Sequence, residues 1–276
     1  MQPKPLWQAF RTQEAEHLGI TEQDLDEKML ELLHIMVASA KQGLTKPIFS
    51  LSGMTGGFAN KVWEHRHETT LSGSFVLSGV ARALSTSEVN AAMGKIVAAP
   101  TAGAAGILPA ALMGAREKLN LAIEDLLPGL YTAGAIGKII AQGATISGAD
   151  GGCQAECGSA AAMAAAGLVT LMGGDNQSSF HAAGFALIHV MGLVCDPIAG
   201  FVEFPCSLRN ASGLVNAYLS ADLAMAGVES IVPFDEVVEA MYRVGKMLPE
   251  TLRETALGGL AATEAAKQLE EKYQTR

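Results

Sequence analysis

Four cysteines are the residues best suited to chemistry in this 276-residue chain. Three of them stand beside loop-forming residues rather than within an apolar helical run. Cys153 follows Gly151-Gly152, Cys195 precedes Asp196-Pro197, and Cys206 follows Pro205. Rigid loops are where metal ligands are usually held. Separations of 42 and 11 residues do not match a zinc finger. Thiolate is the usual ligand of an iron–sulfur cluster, so the three read either as a metal centre or as free buried thiols. Cys157 lies four residues after Cys153, and on a helix the two would share a face. It reads as a small buried hydrophobe, with a fourth ligand as the alternative.

The elements that must position these thiols are helical. Thr21-x-x-Asp24 resembles a capping box, with Asp in place of Glu or Gln. Behind it Leu25, Met29, Leu32, Leu33 and Met36 recur at helical spacing. Asp235 is placed to cap a helix whose apolar face is Val237, Val238, Met241, Val244 and Leu248. Thr255 to Lys272 reads as a polar terminal helix. Val/Ile/Thr runs with period-two alternation are nearly absent. The expected fold is all-α, a single compact helical domain over residues 1–276 with Ala/Gly-rich central helices and glycine-rich active-site loops. Those loops are Ser52–Gly57, Ala98–Gly106, Ser147–Cys153 and Gly173–Ser179. If several converge with helix N-termini, their amides form donors for an anionic ligand.

Charge narrows the class. The chain has 19 Lys+Arg against 28 Asp+Glu, a formal net charge of −9, and only 17% charged residues. Between Ile96 and Leu208 there are eleven charged side chains in 113 residues. Helices so poor in charge are surrounded on all sides, by one another or by a partner subunit. A 49% hydrophobic content excludes disorder. The acidic balance, without a Lys/Arg stripe, argues against nucleic acid. Ile96–Ala115, Cys157–Gly174 and Asn176–Cys195 approach membrane-span length, yet prolines, small residues or polar residues interrupt each, so no membrane span is expected. Four cysteines form no disulfide scaffold and the N-terminus has no signal-type apolar core, which points to the cytoplasm.

Three segments around the cysteines resemble the α chain of iron–sulfur-dependent L-serine dehydratase, also called L-serine ammonia-lyase. They are Gly152-Cys153-Gln154-Ala155-Glu156, Val194-Cys195-Asp196-Pro197-Ile198-Ala199-Gly200 and Val202-x-x-Pro205-Cys206. The run from Glu88 to Gly103 (EVNAAMGKIVAAPTAG) and Gly106-Ile107-Leu108-Pro109 are similar too. The resemblance covers about residues 50–220. It implies a [4Fe–4S] cluster held by Cys153, Cys195 and Cys206, with one iron left open as a Lewis acid. It also implies elimination of water from L-serine, giving pyruvate and ammonia. Coordination of the serine hydroxyl would stabilise a poor leaving group, and a positioned base would take the weakly acidic α-proton.

Within that resemblance, Asn90, Thr101, Gly103 and Thr55 are candidates to contact substrate or cluster. Glu88 and His181 are candidates for proton transfer, though either serves equally well as a satisfied buried group, as does His189. Glu156 is a neighbour of the cluster or a plain helix N-terminal acid. Lys95 is the residue a pyridoxal enzyme would use, but the phosphate-cradling glycine tetrad of pyridoxal serine dehydratases is missing, so no pyridoxal phosphate is expected. Cys157 departs from the family pattern. The family's Ser-Ser-Ser-His-Thr-like substrate segment is also absent, since Ser178-Ser179-Phe180-His181 does not match it. A separate β chain supplying that segment, in a hetero-oligomer, is therefore expected. The alternatives are a related iron–sulfur lyase acting on L-cysteine and a non-catalytic cluster-carrying subunit.

Overall fold

The computed structural model describes residues 4–274. Its elements are α1 (Leu6–Leu18), α2 (Glu22–Gln42), α3 (Phe58–His65), α4 (Gly73–Ala91), α5 (Ile107–Leu119) and α6 (Leu127–Gly143). There follow α7 (Gly148–Gly151), α8 (Ser159–Leu171), α9 (Asn176–Ile188), α10 (Cys206–Met225), α11 (Phe234–Met247) and α12 (Glu264–Gln274). Among the described residues, β pairing is limited to two isolated bridges, Phe49 with Gly56 and Cys195 with Arg253. The all-α expectation holds.

The Ala/Gly-rich helix α8 is the axis of the molecule. Every residue from Ser159 to Val169 is buried, and α5, α6, α9 and α10 pack around it. Small side chains let the helix axes approach closely. A Cβ on Gly167 would stand 2.7 Å from the carbonyl oxygen of Gly129 on α6. The charge-poor centre of the sequence is thus an interior, where a charge would lose its hydration. No helix among the described residues is long and apolar enough to cross a membrane.

Local signals were read with mixed success. Thr21 and Asp24 form a reciprocal capping box at the start of α2, and Leu25, Leu33 and Met36 are buried as expected. Leu32 instead faces outward. On α11, Val237, Val238 and Met241 are buried, but the N-cap is Pro233 and Asp235 lies in the first turn. Proline fits there because the first helical amides need no intrahelical acceptor, and an acid in the first turn complements the helix dipole. The terminal helix expected from Thr255 begins only at Glu264. Residues 253–263 instead form a strap with one 3-10 turn at Gly259–Ala262, whose Glu254 and Leu260 amides donate to Cys195 O and Asp196 Oδ2.

Candidate active site

Three of the four glycine-rich breaks and both remaining cysteine segments meet at one place. Gly152 turns the chain into Cys153 with φ +76°, and a Cβ there would stand 2.8 Å from the carbonyl oxygen of Leu193. Only glycine fits that corner. Gln154, fully buried, then fastens the turn. Its Nε2 donates to the carbonyls of Gly151 and Met241, each at 3.0 Å. Its Oε1 accepts from the amide of Gly192 at 2.8 Å. Its own amide donates to Leu193 O at 3.0 Å. The loops of Cys153 and Cys195 are thereby joined through backbone and amide groups. Residues Gln154–Gly158 form a single π-helical turn leading into α8, a local widening frequent at functional sites.

Cys206 opens α10, and Asn210 one turn later ties that helix to the Ala98–Gly106 loop. Asn210 Nδ2 donates to Gly103 O at 2.6 Å and to Cys206 O at 2.9 Å. Asn210 Oδ1 accepts from the Gly106 amide at 2.9 Å. From the same loop Thr101 donates its hydroxyl hydrogen to Glu156 Oε1. Gly103 leaves room for that carboxylate, since a Cβ there would lie 2.6 Å from Oε1. On the other side Thr55 and Ser52 donate to Glu203 Oε2, at 3.1 and 2.9 Å. Asn90 donates to Ala102 O at 3.3 Å and shares with Ser52, Val202 and Glu203 a cavity of about 510 Å³.

All four cysteines are buried and unpaired. Cys153 and Cys157 share a hydrogen bond that holds the Cys153 thiol below its ordinary pKa and pushes Cys157 well above. Burial pushes Cys195 up, with further contributions from Cys153, Glu254, Glu156 and Cys206. Burial does the same to Cys206, helped by Cys153 and Glu156 and opposed by Arg209. The three loop thiols thus stand within one another's electrostatic reach. Among the described residues, no three His, Cys, Asp or Glu side chains form a group able to hold a metal ion.

Two features mark the space between these groups. A Cβ built on Gly148 would meet Cys195 Sγ at 3.0 Å, Glu156 Oε2 at 3.2 Å and Glu254 Oε2 at 3.3 Å. A sulfur and two carboxylates therefore crowd against the Gly148 backbone, where a side chain would press on all three. Arg209, one turn along α10 from Cys206, donates from Nη2 to Asp196 at 2.6 Å, while its buried Nη1 has no partner. Burial raises the Glu156 pKa, Thr101 and Arg209 lower it, and Glu254 raises it further.

The other expected residues lie elsewhere. Glu88 accepts from the amides of Phe58 and Ala59 at 2.5 and 3.3 Å, capping α3. His181 accepts at Nδ1 from the Ser230 amide at 3.1 Å and lines a different cavity of about 410 Å³ with Ile139 and Phe234. His189 pairs with Asn216 at 2.7 Å, and Lys95 is exposed. The fourth glycine-rich break caps α9 through Asp175, and its Asn176 accepts from the Leu6 amide at 2.8 Å. Arg209, Asn210, Glu203 and Glu254 escaped the sequence reading. The first two had a signal, lying three and four residues beyond Cys206 on one helical face. Glu254 had none.

Comparison with known proteins gives the family. The chain matches the family described as serine dehydratase alpha chain over residues 2–261. It is 50% identical over 258 residues to "L-serine dehydratase, alpha chain" of Peptoniphilus asaccharolyticus, covering 93% of this chain and 88% of that one. It is 48% identical over 261 residues to "Probable L-serine dehydratase, alpha chain" of Bacillus subtilis (strain 168), covering 94% and 87%. Against "L-serine dehydratase" of Mycobacterium tuberculosis (strain CDC 1551 / Oshkosh), identity is 38% over 264 residues, covering 91% of this chain and 56% of the relative. With so long a family match, and alpha-chain relatives matched along most of their length, this chain belongs to the serine dehydratase alpha chain family.

Proposed function

We propose that this chain is the α subunit of an L-serine ammonia-lyase that eliminates water from L-serine, yielding pyruvate and ammonia, with a [4Fe–4S] cluster on Cys153, Cys195 and Cys206. The observation that carries the reading is that the hydrogen bonds of Gln154 tie the Cys153 turn to the Cys195 loop, while Arg209 and Asp196 tie that loop to the helix opened by Cys206. The donor set suits such a cluster. Thiolates are its usual ligands. A buried guanidinium nitrogen in search of an acceptor offsets the negative charge that thiolates bring together. When bound, the cluster supplies an iron without a protein thiolate, a Lewis acid for the departing hydroxide.

The residues of the chain do the rest. Glu156 keeps Oε1 occupied by the Thr101 hydroxyl and holds Oε2 against Gly148, where Cys195 Sγ also packs. Burial makes it a better proton holder than an exposed glutamate, so Oε2 is the atom we assign to proton movement at the substrate. Thr101 and Gly103 thus act by placing Glu156, while Asn90 borders the adjoining cavity and Thr55 holds Glu203 on its wall. Cys157, whose thiol is pushed well above its ordinary pKa by Cys153 and by burial, stays protonated and is not a ligand. A separate β chain completes the enzyme. The longer Mycobacterium tuberculosis relative supports this, because this chain corresponds to 56% of it, whereas it spans most of the relatives named alpha chain.

The test is anaerobic reconstitution with iron and sulfide in the presence of a β chain, followed by assay of pyruvate and ammonia from L-serine. Cluster-dependent pyruvate release is expected. A fully loaded protein that releases none, or that turns over only L-cysteine with loss of sulfide, contradicts the proposal.

A further inference from the structure

Glu203 stands three residues before Cys206, on the wall of the cavity of about 510 Å³ that it shares with Ser52, Asn90 and Val202. It is buried, with only 6% of the residue exposed. Ser52 and Thr55 both donate to one of its oxygens, Oε2, at 2.9 and 3.1 Å. The other oxygen, Oε1, has no hydrogen-bond partner among the described residues. It is not sealed inside the protein either, because the buried side-chain atoms without a partner lie on other residues, such as Arg82, Glu88 and Tyr218. The free oxygen is therefore the one the cavity reaches. No lysine, arginine or histidine lines that cavity, and Glu203 joins no ion pair among the described residues. The cavity adjoins the cysteine loops through Val202. A Cβ built on Gly103 would meet Val202 Cγ1 at 3.1 Å and Glu156 Oε1 at 2.6 Å. Glu203 O also accepts the Ser207 amide at 3.0 Å in the first turn of α10, which fixes it relative to Cys206.

We infer that Glu203 Oε1 binds the α-ammonium group of the amino-acid substrate inside this cavity, and so selects amino acids over hydroxy acids of the same shape. The inference rests on the function proposed above. The cavity is of the size that holds small ligands. A carboxylate taken out of water without a cation is costly, and two hydroxyl donors offset only part of that cost. An arriving ammonium supplies the missing charge, and a hydrogen bond between two ions is stronger than one between neutral groups. A hydroxy acid brings no cation and gains nothing at Oε1. The two hydroxyls also set direction. With Oε2 held twice, Oε1 is aimed before the substrate arrives, which lowers the ordering cost of binding. On the same wall Asn90 spends its amide hydrogen on Ala102 O, leaving Oδ1 as a second, neutral acceptor.

The test uses the reconstituted enzyme and two fragments of the substrate as inhibitors. 2-Aminoethanol keeps the hydroxyl and ammonium, and 3-hydroxypropanoate keeps the hydroxyl and carboxylate. Glu203→Gln retains an oxygen for Ser52 and Thr55 but removes the charge. It is expected to raise KM for L-serine about tenfold to a hundredfold, the size of a lost hydrogen bond to a charged group. Inhibition by 2-aminoethanol should weaken by a similar factor, while the inhibition constant of 3-hydroxypropanoate and the iron and sulfide content stay within twofold of wild type. An unchanged KM overturns the inference. So does equal weakening of both fragments, which would make Glu203 a shaping residue, and so does loss of iron, which would make it a support of the cluster loop. Wild-type enzyme that makes no pyruvate from L-serine defeats the parent reading. Active wild type with an unaltered Glu203→Gln variant defeats only this one.

Discussion

Arg209 on α10 donates a 2.6 Å hydrogen bond to Asp196 Oδ1, fastening the loop of Cys195 to the helix that Cys206 opens. The pair is buried, with 12% and 3% of the two side chains exposed. Asp196 also accepts from the Leu260 amide, so one carboxylate holds three segments together. Removing one member of a buried pair strands the other charge, at a cost of about 3–5 kcal/mol. In the metal-free protein, Arg209→Met and Asp196→Asn should each lose stability of that order in urea unfolding. The double variant should lose clearly less than the sum, because both changes break one interaction. Strict additivity would show that the two side chains act separately.

Glu88 carries a pH signature. Burial pushes its pKa up to about 7, against the pull of the Phe58 and Ala59 amides and Lys61. The unfolded chain releases that proton near pH 4.3, an ordinary glutamate value. Between about pH 4.3 and 7 the folded state therefore holds more protons than the unfolded state, and stability falls as pH rises. Below that window the group contributes no slope, and above it the loss is complete. Thermal unfolding should show a falling midpoint across the window in wild type and a flatter profile in Glu88→Gln. Identical profiles would contradict this placement of the carboxyl.

Gly148 tests the close packing around Cys195 and Glu156 directly. Alanine there requires neighbours to yield by a few tenths of an ångström, because the new carbon would stand 3.0 Å from Cys195 Sγ and 3.2 Å from Glu156 Oε2. Overpacking of this kind costs about 1–3 kcal/mol, so the protein should still fold. Turnover of L-serine should fall about tenfold or more, equivalent to about 1.4 kcal/mol of barrier. A variant with undiminished turnover and full iron content would place the reacting groups somewhere else.

The four cysteines should divide three to one. Cys153→Ser, Cys195→Ser and Cys206→Ser should each lose iron and sulfide, while Cys157→Ala should keep them, since its thiol is spent on Cys153. Loss of the cluster in Cys157→Ala would instead favour four protein ligands and the cluster-carrier reading. Iron and sulfide analysis after anaerobic reconstitution decides between the two.

What could be read from the sequence follows from how locally each feature is encoded. The loop setting of Cys153, Cys195 and Cys206 is written in adjacent glycines and prolines, and the Ala-rich interior in the scarcity of charge. Thr101 and Gly103 were legible as candidates, although their connection through Glu156 needs 55 residues of chain to fold back. Glu88 and His181 have suitable chemistry, but their partners, the Phe58 amide and the Ser230 amide, are distant in sequence. Glu254 was invisible for the same reason. A backbone pairing with Cys195 sets its place, and no periodicity records that pairing.

The central claim is that three cysteines bind the cluster and leave one iron open to substrate. Mössbauer spectroscopy of the iron-labelled, reconstituted enzyme, with and without L-serine, tests it most directly. The account predicts that L-serine alters the signal of a single iron subsite and leaves the others unchanged. A spectrum unmoved by saturating L-serine, from a protein with a complete cluster, would contradict it.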